Sequence, residues 1–113
     1  MIFRAKVIAG EGRGKKIGFP TANLNKTDLE IDFGVYLARA RVGNQEFAGL
    51  LHFGPQKTFG EQITAELHLK DFSGDLYGKE VQVEIISKVR EIKKFANINE
   101  LKTQITQDLD SIA

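Results

Sequence analysis

The alternation at Ile63–Leu69 constrains this chain more than any other stretch. Ile63, Ala65, Leu67 and Leu69 lie on one side of an extended backbone, and Thr64, Glu66, His68 and Lys70 on the other. A period of two marks a half-buried strand whose apolar set faces a core. The same period returns in the run EVQVEIISKV, after the turn DFSGDLYGK, with Val81, Val83 and Ile85 on one face. Ile2 to Ala9 reads as a first strand. Val35 to Val42 and Gln45 to Phe53, joined by Gly43-Asn44, read as a hairpin with Phe47, Leu51 and Phe53 sharing a face. Gly49 among them is read as a point of close backbone approach.

The period then changes. Asn97 can cap a helix with Glu100 three residues on, and Ile98, Leu101, Ile105, Leu109 and Ile112 fall on one helical stripe. That helix needs a surface to cover. Five or six strands in sequential hairpins and one amphipathic helix predict a small antiparallel barrel or a strongly curled sheet with the helix outside. Closure removes exposed edges. At 113 residues, with no repeat or linker-like tract, a single domain over 1–113 is expected.

The lack of cysteine excludes disulfide scaffolds, thiolate catalysis and Cys-ligated zinc. Sixteen Lys and Arg against fifteen Asp and Glu leave a net charge of +1, without the strong field of an electrostatic nucleic-acid or membrane binder. An anionic ligand must therefore be held by a local site. No export signal or apolar membrane segment is evident, so a cytoplasmic location is expected.

The segment GEGRGKKIGFPTANLNKTDLEIDFG carries turn formers and Pro20 that forbid regular structure over most of its length. Irregular segments so long in small domains are usually functional. Gly10, Gly12, Gly14 and Gly18 allow backbone N–H groups to turn towards one point, with Arg13, Lys15 and Lys16 around it, which is how a loop cradles phosphates. A solvated turn is the plain alternative. The spacing is neither that of a Walker loop nor that of a dinucleotide fingerprint. Thr21 and Asn23, if extended, project to one side and offer two hard oxygens suited to Mg²⁺ held together with phosphates; an Asx or ST turn is the alternative. Glu66 is either a surface charge or a base for an alcohol attacking a γ-phosphorus.

Four blocks in order, GRGKKIGFPTANL, GVYLARA, AELHLKDFSGDLYGKEVQVEI and VREIKKFANINELKTQITQDL, closely resemble the riboflavin kinase family, including the kinase half of bacterial bifunctional FAD synthetases. The resemblance runs from Val7 to Asp108. It implies a six-stranded antiparallel Greek-key barrel with a C-terminal helix packed outside. The implied activity transfers the γ-phosphoryl of ATP to the 5′-hydroxyl of riboflavin, giving FMN and ADP with Mg²⁺ or another divalent ion. Carried over by position, Thr21 and Asn23 ligate the metal, and Glu66 is the base. Gly10, Gly12, Arg13, Gly14, Lys16, Gly18 and Pro20 belong to the nucleotide loop, Asp75 and Tyr77 to a flap beside the nucleotide, and Arg90 and Phe95 to a segment bordering the flavin.

Tyr77 is alternatively a hairpin-rim aromatic, Phe95 a helix anchor and Arg90 an ion-pair partner. Two departures stand out: His52-Phe53-Gly54, where relatives often have Asn-Ile-Gly, and Lys57-Thr58-Phe59, where they often have Pro-Thr-Phe. No nucleotidyltransferase block precedes the barrel, so the chain is expected to be a stand-alone kinase or a piece of a longer protein. The expected partners are small molecules, with no nucleic acid and no membrane, and the expected state is a monomer. Two other readings compete, a non-catalytic flavin- or FMN-sensing module and a nucleic-acid-binding barrel, the latter disfavoured because no strand carries a basic-aromatic stripe.

Overall fold

The structure, a computed structural model, describes residues 1–8, 21–55, 62–72, 76–92 and 96–111. Its strands are β1 (Ile2–Ile8), β2 (Thr21–Leu24), β3 (Gly34–Val42), β4 (Gln45–Pro55), β5 (Ile63–Leu69) and β6 (Glu80–Arg90), followed by helix α1 (Ile98–Asp110). They close into an antiparallel barrel in the spatial order β1-β2-β5-β4-β3-β6. Strands β3, β4 and β5 are consecutive neighbours while β6 returns beside β3, the 4-1-2-3 arrangement of a Greek key.

Period-two patterning decides which side chains enter the barrel. Phe3, Ala5 and Val7 of β1, Ala22 and Leu24 of β2, Leu51 and Phe53 of β4, Ala65, Leu67 and Leu69 of β5 and Val81 and Val83 of β6 form one buried cluster. Five alanines in that cluster, at 5, 22, 38, 40 and 65, make room for the leucines and phenylalanines opposite. Phe33 packs edge-on to Phe53, with ring centroids 5.4 Å apart, and Phe47 edge-on to Phe72 at 5.1 Å.

The β3–β4 hairpin turns at Gly43-Asn44 with Gly43 at φ 61°, the left-handed value that lets a two-residue turn follow the twist of the strands. Gly49 lies where β4 meets β5 so closely that a Cβ there would strike the backbone oxygen of His68. The expected close approach is present.

Two expectations are corrected. The strands are not all sequential hairpins: β2 pairs with β1 and β5 rather than with β3, and β6 pairs with β1 and β3 rather than with β5. Each strand still has two neighbours, so the barrel closes with no exposed edge among the described strands. Second, part of the glycine-studded segment is regular, since Thr21–Leu24 forms β2 and bridges β1 to β5. Strand β6 also carries two register shifts against β3, near Ile86 and Val89, and both residues are turned out to solvent.

Helix α1 starts as its sequence predicts. Asn97 Oδ1 accepts a hydrogen bond from the Glu100 amide at 2.9 Å, and the Glu100 carboxylate reaches back to the Ala96 amide at 3.1 Å. Ile105 and Leu109 are buried against Val35 and Leu50, outward-facing residues of β3 and β4. The helix thus covers one flank of the barrel's outer face. Among the described residues, no helix is long and apolar enough to cross a membrane.

Candidate active site

A single row of residues crosses the outer face of all six strands. Ile8 pairs with Asn23, Asn23 with Glu66, Glu66 with His52, His52 with Val35, and Val35 with Arg90. Directly opposed residues of antiparallel strands share a face, about 5 Å apart. Asn23, Glu66 and His52 are therefore lateral neighbours, with β5 in the middle. In the next row outward-facing His68 pairs with Thr21 on β2 and Leu50 on β4. Leu50 and Val35 lie beneath the helix, so α1 forms a wall along one side of the polar group.

The outward position does not expose these groups. Glu66 keeps 5 % of its surface and His68 6 %, and the His68 Nε2 to Glu66 Oε2 distance is 3.8 Å. A carboxylate withdrawn from water on the polar face of a strand is uncommon, and its retention points to a job. Beside it the Asn23 side-chain oxygen is buried and accepts no hydrogen bond, and His52 Nδ1 is likewise buried without a partner. Thr64 Oγ1 of β5 is a third such atom. Buried polar atoms nearly always have partners, so orphans beside a buried carboxylate call for an explanation, such as an ion or a water.

Asn23 presents an unsatisfied neutral oxygen, a donor type that suits a hard divalent ion whose shell phosphates complete. No cluster of three His, Asp or Glu residues suited to a metal occurs among the described residues. The backbone of Thr21 places it on β2 two residues from Asn23, opposite His68; its side chain lies outside the description.

Arg90, expected beside the flavin, ends the outer row and is held in an ion pair. Its Nε donates to Asp108 Oδ2 of α1 at 2.9 Å and its Nη2 lies 2.9 Å from the same oxygen, with Asp108 buried. Tyr77 is 63 % exposed, in a turn pinned to β1 by the Gly78 amide donating to the Val7 carbonyl at 2.9 Å. That puts its backbone next to β1, outside the polar row. Gly10, Gly12, Arg13, Gly14, Lys16, Gly18, Pro20, Asp75 and Phe95 lie outside the described residues, as do Lys57-Thr58-Phe59. His52 stood out in the sequence only as a departure from relatives. Its place beside Glu66 emerges from strand register, which a single sequence does not reveal.

Burial, the main cause, drives the His52 imidazole from its ordinary 6.5 down to about 4; Glu66 opposes the shift, and His68 and Arg90 add to it. The unfolded chain takes up this proton as pH falls through 6.5, whereas the folded chain waits until about 4. Stability present above pH 6.5 is thus lost across that window, by up to about 3 kcal/mol. Melting temperatures at pH 7 and pH 4.5 are expected to drop further for the wild type than for His52→Asn. Equal drops would show that His52 contributes nothing to the acid lability.

Known proteins place these features in context. Over 114 residues the chain is 34 % identical to the RNA-binding riboflavin kinase RibR of Bacillus subtilis (strain 168), covering 99 % of this chain and 50 % of that protein. A Streptococcus pneumoniae crystal structure of a protein described as a macrolide-efflux protein superposes with a TM-score of 0.84 at 32 % identity, over 96 % of this chain and 37 % of that one. Riboflavin kinase from Trypanosoma brucei shares the fold, with a TM-score of 0.61 at 20 % identity over 96 % of this chain and 74 % of that one. The chain spans half or less of the length of the curated relatives it matches. A family model described as flavokinase, riboflavin kinase, matches residues 1–113, and with a Greek-key barrel carrying Asn23 beside Glu66, this chain belongs to the riboflavin kinase family.

Proposed function

We propose that this chain is a riboflavin kinase that moves the γ-phosphoryl group of ATP to the 5′-hydroxyl of riboflavin, releasing FMN and ADP. The observation that carries the reading is the direct cross-strand pairing of Asn23 with Glu66 on an outer barrel face, with the carboxylate buried and the amide oxygen unsatisfied. In the transfer the acceptor oxygen bonds to the γ-phosphorus, the bond from phosphorus to the β,γ-bridging oxygen breaks, and the hydroxyl proton leaves. In this reading Glu66 accepts that proton. Its burial holds it out of bulk water, so the base is aimed before substrate arrives.

Asn23, with Thr21, holds Mg²⁺ or another divalent ion in this reading. When bound, the cation neutralises charge on the transferring phosphates. The glycine loop ending at Pro20 cradles the nucleotide, with Asp75 and Tyr77 flanking it and Arg90 and Phe95 bordering the flavin. Two links support this layout: β2 follows directly on Pro20, and the turn bearing Tyr77 is tied to the strand beside β2. All the proposed groups come from one domain of one chain, so a monomer suffices.

The purified chain incubated with riboflavin, ATP and Mg²⁺ is expected to form FMN and ADP in equal amounts. Flavin binding without FMN would instead identify a sensing module.

A further inference from the structure

His52 is the residue of the polar row to which the reaction above gives no task. It pairs with Glu66 on one side and with Val35 on the other, so it stands between the carboxylate and the helix-covered flank. Its Nδ1 is buried and makes no hydrogen bond. An unsatisfied buried nitrogen is costly to keep, and a phenylalanine or leucine would fill the same space without that cost. The fold retains the nitrogen next to the group assigned as base, which is what a site completed by its ligand looks like.

The chemistry of this imidazole narrows what it can hold. The charged and titratable groups around it are Glu66 and His68 from β5, Arg90 from β6 and, through Arg90, Asp108 from α1. Burial keeps the ring neutral at physiological pH, with a pKa of about 4. A neutral ring offers no charge to a phosphate, and so weak a base is a poor relay for a proton leaving Glu66. A hydroxyl suits it, because an alcohol both donates and accepts and so satisfies Nδ1 in either tautomer. Paired side chains across the ladder sit about 5 Å apart, a span that two hydroxyls of one polyol chain bridge.

We propose that His52 is a substrate-positioning residue: its Nδ1 hydrogen-bonds a secondary hydroxyl of the acceptor's polyol chain while the terminal hydroxyl lies at Glu66. This rests on the kinase reading for the identity of the acceptor. The site then recognises a polyol as such, and the second hydrogen bond fixes the direction in which the terminal oxygen faces the phosphorus. An acceptor with only a terminal hydroxyl loses that constraint.

Three substitutions and one set of analogues test the idea. His52→Phe keeps a planar ring and removes the nitrogens; His52→Asn places its amide near the position of Nδ1; His52→Gln reaches towards that of Nε2. Riboflavin affinity is read by flavin fluorescence without nucleotide, and KM values by FMN formation. His52→Phe is expected to raise the riboflavin Kd and KM about ten-fold, the effect of one lost hydrogen bond, and to leave KM for ATP in place. His52→Asn recovers most of the loss and His52→Gln does not. Flavins lacking secondary ribityl hydroxyls bind the wild type more weakly by a similar factor and bind His52→Phe no worse than riboflavin does.

An unchanged riboflavin Kd in His52→Phe, recovery by Gln rather than Asn, or a loss carried by KM for ATP overturns the proposal. If His52→Phe does not fold, comparing the analogues on the wild type and on His52→Gln decides the matter, since a penalty equally large in both places the hydroxyl contact elsewhere. Should the wild type bind riboflavin and make no FMN, the kinase reading falls while the fluorescence result for His52 still stands or falls alone. No flavin binding by the wild type overturns both.

Discussion

Replacing Glu66 with Gln is expected to lower kcat for FMN formation by about 10²–10⁴-fold, the usual contribution of a positioned general base, and to change riboflavin affinity far less. The substitution keeps the shape of the side chain, so the outer row across β2, β5 and β4 stays packed. It removes the proton acceptor. A loose phosphoryl transition state demands positioning and charge neutralisation more than covalent help, and those elements remain in the variant. The residual rate then measures what the rest of the site achieves without a base. Fluorescence titration of riboflavin beside the steady-state rate separates the two roles. An equal loss of binding and turnover would make Glu66 a structural carboxylate, and unimpaired turnover would remove it from the chemistry.

The sequence announced the strands wherever one face is apolar and the other polar. Ile63–Leu69 forms β5 with the predicted bounds, and Ala65, Leu67 and Leu69 enter the core while Glu66 and His68 face outward; Ile63, expected with the core set, stays exposed at the strand's start. Helix α1 was equally readable, because Asn97 and Glu100 cap it and its stripe had only the barrel to cover. Strand β2 was not, since four residues beside a proline and several glycines carry too little pattern to outweigh the turn formers. The strand order was hidden for a different reason. Period two says which face a residue takes but not which strand lies next to it, and the pairing of β2 with β5 joins segments some forty residues apart.

The same distinction divides the site. Glu66 and Asn23 were identifiable one by one from residue type and resemblance, and the fold supplies their adjacency. His52 carried no motif of its own. Alternation along β4 turns it away from Leu51 and Phe53, and only the register of β4 on β5 sets it against Glu66. Arg90 shows how a plausible residue acquires a second duty. A basic side chain at the end of a strand has many possible partners, and the helix that brings Asp108 to it is fixed by Ile105 and Leu109 packing on Val35 and Leu50.

Replacing Asp108 with Ala is expected to destabilise the chain by about 3–5 kcal/mol, because it strands a largely buried guanidinium without its counter-charge. Both interacting side chains are withdrawn from solvent, Arg90 with 16 % and Asp108 with 7 % of the side chain exposed. Asp108 has a second duty, since its Oδ1 accepts from Gln104 Nε2 at 2.9 Å, so the carboxylate is held along its own helix as well as across to β6. The exposed pairs Arg4–Glu80, Arg39–Glu84 and Arg41–Glu46 lie in water and contribute little by comparison. For a chain of this size the loss corresponds to a fall in Tm of roughly 10–20 °C. Removing both charges in an Arg90→Met, Asp108→Leu double variant is expected to restore most of it, since apolar side chains fill the same space without a lone buried charge. If Asp108→Ala melts within a few degrees of the wild type, the pair is solvated in solution and the helix is held by Ile105 and Leu109 alone. If instead the double variant melts as low as the single one, the carboxylate's bond to Gln104 inside α1 is the greater part of its value, and the tie to β6 is incidental.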